Sequence, residues 1–277
     1  MEKNLNHQKQ LSLDSTQEGT LIESDGSIYK GELKSHLKHG KGRLTAPDGS
    51  FYEGEWFKNK RSGFGFQYCS KSQQIYIGDW KEGKRDGLGT SYHPKHFTYT
   101  GEWKEGKMTS WGSITYENQD TYTGEWKEGQ YHGWGCCTKP NLCVYIGGWK
   151  EDKCDGWAYS SDCFSNSLME ERKENVQAGL GYSRFSDGTQ YVGEMQRGAL
   201  DGWGSVRYPN GEVYVGEFVG GVKEGLGVFW YLDRSVYKGG WRGGRRHGWG
   251  CLELPYGVLS RHLGFYVGRG DHRIPGK

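Results

Sequence analysis

Aliphatic side chains are scarce in this sequence, and no run of about 18 apolar residues occurs that could form a membrane-spanning helix. With Ala and Leu sparse, helices have weak intrinsic support, whereas an aromatic share of 15% suits a pleated sheet. An excess of one charge is also missing, since 36 Lys and Arg face 34 Asp and Glu for a formal +2. That balance supplies no field selecting nucleic acid, so no nucleic-acid partner is expected. Residues Met1 to Leu11 are polar and lack the apolar core of a signal peptide, and neither terminus carries a lipidation motif. Seven cysteines without a secretory signal read as reduced thiols. Together these absences predict a soluble, cytoplasmic chain.

What is abundant is glycine, at 47 residues, and it is periodic. A Gly-x-Gly triplet starts at Gly40, Gly63, Gly87, Gly133, Gly179, Gly202, Gly225 and Gly248. Ser110-Trp111-Gly112 and Gly156-Trp157-Ala158 fill the remaining slots of a 23-residue period, with one single-residue slip between Gly63 and Gly87. A fixed period of this size marks a repeat array whose units bury their apolar groups against neighbours. The array occupies nearly the whole chain and leaves little room for a catalytic domain.

Each triplet follows a tyrosine segment of the type Tyr99-Thr-Gly-Glu-Trp-Lys104. Tyr, Gly and Trp fall at i, i+2 and i+4, one face of a strand, with polar residues opposite. Gly40, Gly42, Leu44 and Ala46 alternate in the same way with Lys41, Arg43 and Thr45. Two alternating runs with a short polar joint predict a β-hairpin. The joint carries His36, Asn59, Gly83, Gly106, Gly129, Asp152, Asn175, Gly198, Gly221 or Gly244, mainly types that tolerate positive φ. A second turn, such as Asp25-Gly26 or Asn210-Gly211, links successive hairpins. The glycines inside strands imply a close approach, with Tyr and Trp rings lying across neighbouring backbone.

Tyr-x-Gly-Glu-Trp-Lys-x-Gly, then His/Asp-Gly-x-Gly, then Pro-(Asp/Asn)-Gly resembles the MORN repeat, most clearly at Tyr122 to Gly135 and Tyr237 to Gly250. The resemblance implies an all-β fold: an elongated, twisted, single-layer antiparallel β-sheet of consecutive hairpins, about ten units and roughly 95 Å long. It covers residues 19–254, with a tail expected to be disordered at 1–18 and a C-terminal cap and tail at 255–277. Leu33 and Met195 depart mildly from the aromatic position. One unit, at about 160–181, departs badly: Leu168-Met-Glu-Glu-Arg-Lys-Glu-Asn175 loses the tyrosine, glycine and tryptophan. It is read as a complete hairpin with a weak, mobile first strand, either drifted or serving as a docking or flexing point. The resemblance also implies a scaffold or adaptor in a cytoskeletal or ciliary assembly, such as an axoneme or radial-spoke head, rather than an enzyme.

Chemistry-bearing residues weigh the same way. His39, His132 and His247 precede triplets, but Asp86, Asp155, Asp201 and Glu224 take the same slot, so the position asks only for a polar residue. Cys136, Cys137, Cys143, Cys154 and Cys163 contain no close pair of the zinc-binding kind. No metal, cofactor or catalytic residue is expected. Glu55, Asp79, Glu102, Glu125, Glu194 and Glu217 are expected to form a cross-strand ladder with neighbouring lysines.

Two surfaces stand out. The middle residues of the triplets, among them Phe64, Trp111, Trp134, Trp157, Trp203 and Trp249, form a column opposite their own glycines and make a candidate protein-binding stripe. The rival expectation is that sheet twist and lysine side chains cover it. The hairpin tips carry a basic edge, with Lys60, Arg61, Lys84, Arg85, Arg245 and Arg246 as candidate contacts to an anionic membrane surface, or as a solvated edge that guards against strand pairing. The expected partners are other proteins, cytoskeletal or ciliary, and a homodimer through the sheet ends stays open. A regulatory subunit of a separate enzyme remains a further alternative.

Overall fold

The computed structural model describes residues 16–140, 143–255 and 261–270. Among these there are 22 strands and no helix, and consecutive strands pair antiparallel as a run of hairpins. The chain is therefore all-β, as the repeat pattern implies. It divides into two compact units, Met1–Gly135 and Cys136–Lys277, each described by itself. The first begins with strand Gln17–Ile22, paired to Ile28–Lys34, and runs to Gln130–Thr138, within which the boundary falls. The second runs from Val144–Lys150 to Arg261–Gly270, which pairs with Arg245–Glu253. Most of the expected N-terminal tail, residues 1–15, and parts of the C-terminal tail, 256–260 and 271–277, lie outside the described residues.

Strands Phe97–Lys104 and Lys107–Tyr116 show how one repeat folds. Glu105 and Gly106 form the tip, both with positive φ (48° and 86°). Two left-handed central residues make a type I′ turn, whose twist matches the flanking strands. The same pair recurs at Ser35-His36, Lys58-Asn59, Glu151-Asp152 and Glu174-Asn175. The sequence pattern pointed to the second residue of each pair and missed the first. Connections between hairpins are tied by Asx turns, as where the Ser50 amide donates to Asp48 Oδ1 (2.9 Å) and the Thr189 amide to Asp187 Oδ1 (2.8 Å). The single-residue slip is absorbed outside the strands, in the turn between Lys60–Cys69 and Gln74–Lys81.

One face of each unit is an aromatic layer. Tyr29, Tyr52, Tyr76, Tyr99, Tyr122, Tyr191, Tyr214 and Tyr237 are fully buried. Each phenol lies across the second glycine of its own hairpin's triplet, so a Cβ at Gly42 would overlap the Tyr29 ring and one at Gly112 the Tyr99 ring. The hydroxyl donates to the carbonyl three residues on, as from Tyr99 to Glu102 (3.0 Å). The Trp of the following hairpin closes the layer edge-on, with Tyr99 and Trp126 centroids 5.1 Å apart. Its indole N–H donates to a glycine carbonyl across the strands, Trp126 to Gly112 at 3.1 Å and Trp56 to Gly42 at 3.0 Å. Layers within each unit are thus shared between consecutive hairpins, with Phe218 in the Trp position over Tyr191 and Trp241 over Tyr214 in the second.

The divergent unit forms both of its strands, Ser167–Lys173 and Val176–Arg184, and the first pairs on both sides. Its buried positions hold Leu168, Glu170 and Arg172 in place of Tyr, Gly and Trp.

Candidate functional site

The candidate surface is built by a bulge in each hairpin. The first triplet residue is left-handed, with φ of 59° at Gly63 and 54° at Gly133. Even Ser110, standing where the others have glycine, adopts φ 51°. The pairing register shifts opposite this point, as between Gly54 and Trp56 or Gly193 and Met195. A carboxylate from the hairpin's first strand steadies the bulge by accepting the amide N–H of the triplet's middle residue. Glu32 receives Lys41 (2.9 Å), Asp79 receives Leu88 (3.0 Å), Glu125 receives Trp134 (2.9 Å) and Glu217 receives Leu226 (3.0 Å). This corrects the expected ladder with lysines: the repeated acid serves the backbone of its own hairpin.

The bulge throws the middle side chain outward. Phe64, Leu88, Trp111, Trp134, Trp157, Leu180, Trp203, Leu226 and Trp249 are all between 53% and 73% exposed. Neither twist nor lysine side chains cover them. Across the strands most stand opposite an acid or a glycine, Phe64 opposite Asp79, Leu88 opposite Glu102, Trp111 opposite Glu125, Trp157 opposite Glu171 and Leu226 opposite Gly240, whereas Trp249 pairs with Phe265. The next row on this face differs between the units. In the first it is mixed, with Arg43, Glu53, Phe66 and Ile77 followed by hydroxyls, Thr90 bonded to Thr100 (3.0 Å) and Ser113 to Thr123 (2.8 Å). In the second it is mainly apolar, with Met169, Val192 and Val215 exposed. The N-terminal part of the first unit forms an open trough of about 980 Å³ on this face, floored by Lys41, Arg43, Glu53, Glu55, Phe64 and Phe66.

The basic tips divide by strand alternation. Lys60 and Lys84 project outward and pair with acids of the next hairpin, Lys60 with Glu82 and Lys84 with Glu105 (3.6 Å). Arg245 is exposed. Arg61, Arg85 and Arg246 point the other way and roof the aromatic layers. Arg61 lies 5.1 Å from the Tyr52 ring and 4.9 Å from Trp80, Arg85 lies 4.6 Å from Tyr76, and Arg246 lies 5.5 Å from Tyr237. Lys38, just past the Ser35-His36 tip, is 7% exposed, 4.8 Å from the Trp56 ring and paired with Glu23. Lys223 sits among four rings in the same manner, 4.6 Å from both Phe229 and Trp241. These cations act as lids held by cation–π attraction. The lid slot is nine residues after each tyrosine, where Met108, Tyr131, Cys154, Gln177 and Leu200 also occur. That mixture hid the pattern in the sequence, although the spacing itself was there to be found.

Titratable groups on the buried face are displaced by burial. The Tyr29 phenol is pushed up to about 12, and Tyr52, Tyr76, Tyr99, Tyr191 and Tyr214 rise further. Burial is the first cause in each, with nearby carboxylates adding to it at Tyr29, Tyr99, Tyr191 and Tyr214. Burial also lowers Arg61 and Arg85, the lids themselves. Cys154 rises for the same reason beside Tyr145. All seven cysteines are free thiols, and among the described residues no three His, Cys, Asp or Glu converge as metal ligands.

The MORN repeat model matches nine segments: 29–51, 52–73, 76–96, 99–121, 122–144, 145–156, 191–213, 214–236 and 237–255. The chain belongs to the MORN-repeat family. The unmatched stretch between 156 and 191 contains the divergent hairpin. No curated protein matches the sequence. Among solved structures, the TCP10 domain of Danio rerio CPAP, in complex with a peptide of STIL, is similar at 12% identity and TM-score 0.42, covering 80% of this chain and 93% of that one. The SAS-4 TCP domain of Drosophila melanogaster, with a proline-rich motif of Ana2, is similar at 12% identity and TM-score 0.30, covering 73% and 90%. These likenesses carry no partner over to this chain.

Proposed function

We propose that this chain is a non-enzymatic scaffold that docks partner proteins along the exposed triplet column, within a cytoskeletal or ciliary assembly. The observation that carries the docking surface is the column itself. In each unit large apolar side chains more than half exposed stand in register on one face, and they cost solubility unless something covers them. Family resemblance supports the assembly. A membrane role through the tips draws less support, because Arg61, Arg85 and Arg246 roof the buried rings while Lys60 and Lys84 are paired with acids.

Proximity labelling in ciliated cells tests the reading, comparing the unaltered chain with a Trp111→Ala, Trp134→Ala, Trp157→Ala variant of unchanged thermal stability. Loss of a defined protein set from the variant is the expected result. An unchanged set would clear the column of a docking role, and a set without cytoskeletal or ciliary proteins would overturn the location.

A further inference from the structure

The second unit presents Trp157, Leu180, Trp203, Leu226 and Trp249 on alternate strands, all more than half exposed. On the strands between them stand Glu171, Glu194 and Glu217, directly opposite Trp157, Leu180 and Trp203. Beside this acid–apolar column runs the row holding Met169, Val192 and Val215. Met169 pairs with Tyr182 and Tyr182 with Val192, and Ser205 stands between Val192 and Val215.

The spacing selects what can lie across it. Adjacent strands are about 4.8 Å apart, so the column repeats every ~9.6 Å. An α-helix laid across the strands advances ~6.4 residues in that distance and turns about 80° short of two full turns, so its contact face leaves the column after one repeat. An extended strand covers the distance in about three residues, but its side chains alternate with period two and the third faces away. A polyproline II segment advances ~9.3 Å in three residues, one full turn, and returns the same face to the same column. The residual mismatch, about 0.3 Å per hairpin, builds to ~1 Å over four repeats, within side-chain reach.

Charge sets the residue type. A residue returning to the column at every third position meets an indole or leucine, flanked by a carboxylate from Trp157 through Leu226, whereas Trp249 pairs with Phe265. Arginine suits both, stacking on the ring and reaching the acid. Prolines between would rest on Met169, Val192 and Val215. We infer that the second unit's open face binds a partner segment in polyproline II conformation with a basic residue at every third position. The inference rests on the scaffold reading and adds the chemistry and register of the partner.

The test uses the full chain and a fluorescent peptide of five Pro-Pro-Arg triplets, followed by polarisation at moderate salt. Three control peptides accompany it: the same composition with irregular arginine spacing, Ala-Ala-Arg triplets, and Pro-Pro-Glu triplets. The ordered Pro-Pro-Arg peptide should bind about ten-fold or more tightly than every control. Trp203→Ala and Glu194→Gln should each weaken it several-fold, while Phe64→Ala in the other unit should not. Equal binding of the irregular or alanine peptide, indifference to Trp203→Ala, or no binding of any peptide would overturn the inference. If the labelled protein set is still lost from the triple tryptophan variant while the ordered peptide fails, the scaffold stands and only this register falls.

Discussion

The hairpin of Tyr99 and the hairpin of Leu168 share a backbone and differ in what fills it. In the first, a fully buried phenol lies on Gly112, its hydroxyl bonded to the Glu102 carbonyl, with Trp103 and Trp126 edge-on at 5.2 and 5.1 Å. In the second, leucine supplies no ring, the Met195 side chain lies over Gly181 instead, and Glu170 occupies the position of the first-strand glycine at 1% exposure. Its charge is met by Arg172, which stands where tryptophan would and lies 5.8 Å from the Tyr145 ring, in the role an indole plays elsewhere. Gln177 takes the lid slot and donates to the Met195 sulfur (3.1 Å). Glycine inside these strands is therefore a consequence of tyrosine. Where the ring goes, the glycine is free to go too, provided a partner arrives for whatever replaces it.

Alkaline titration probes the regular layers with the largest expected effect. The folded phenols stand above their usual value near 10, and Tyr29 stands at about 12. Their contribution to stability is complete below about pH 10 and is lost as pH rises from there through the folded values, because the unfolded chain releases its phenolic protons first. Phenolate absorbance and circular dichroism should change together above that point. Ionisation of the buried tyrosines with the sheet intact would contradict the buried layers.

The divergent unit answers to a different substitution. Arg172→Ala would strand the Glu170 carboxylate and lower stability by about 3 kcal/mol in denaturant unfolding. The combined Leu168→Tyr, Glu170→Gly, Arg172→Trp replacement should recover stability by rebuilding the aromatic layer. A single Arg172→Ala without cost would show that the ion pair is not what supports this hairpin.

A smaller contrast separates equivalent glycines. Gly112→Ala sets a methyl into the Tyr99 ring and should cost about 2–3 kcal/mol. Gly181→Ala meets chiefly the flexible Met195 side chain and should cost about 1 kcal/mol or less. Equal losses at the two sites would break the proposed dependence of glycine on tyrosine. The chain already contains a partial version of this experiment: Ala158 carries the methyl that the other units lack, and Tyr145 above it is only partly buried.

Much of this was legible because tyrosine, glycine and tryptophan recur at fixed spacing, and alternation alone assigns them to one face. The tip residues His36 and Asn59 announced their turns by type, whereas Ser35 and Lys58 before them adopt left-handed conformations that their types do not advertise. The outward column could be placed because a strand has only two faces. The acids and half of the basic tip residues sit other than the pattern suggests, for a shared reason. Glu125 and Arg85 look like surface charge in a one-dimensional pattern, but one bends back to a bulged amide and the other folds over two rings. A bulge changes which atoms are in reach without changing the spelling of the repeat.

Because each aromatic layer joins the tyrosine of one hairpin to the tryptophan of the next, the number of hairpins is a free variable. Gain or loss of one whole unit re-forms every contact with an equivalent neighbour, while loss of one residue inside a strand would turn its apolar row to the wrong side. Evolution can recut such a ruler only at its own graduations.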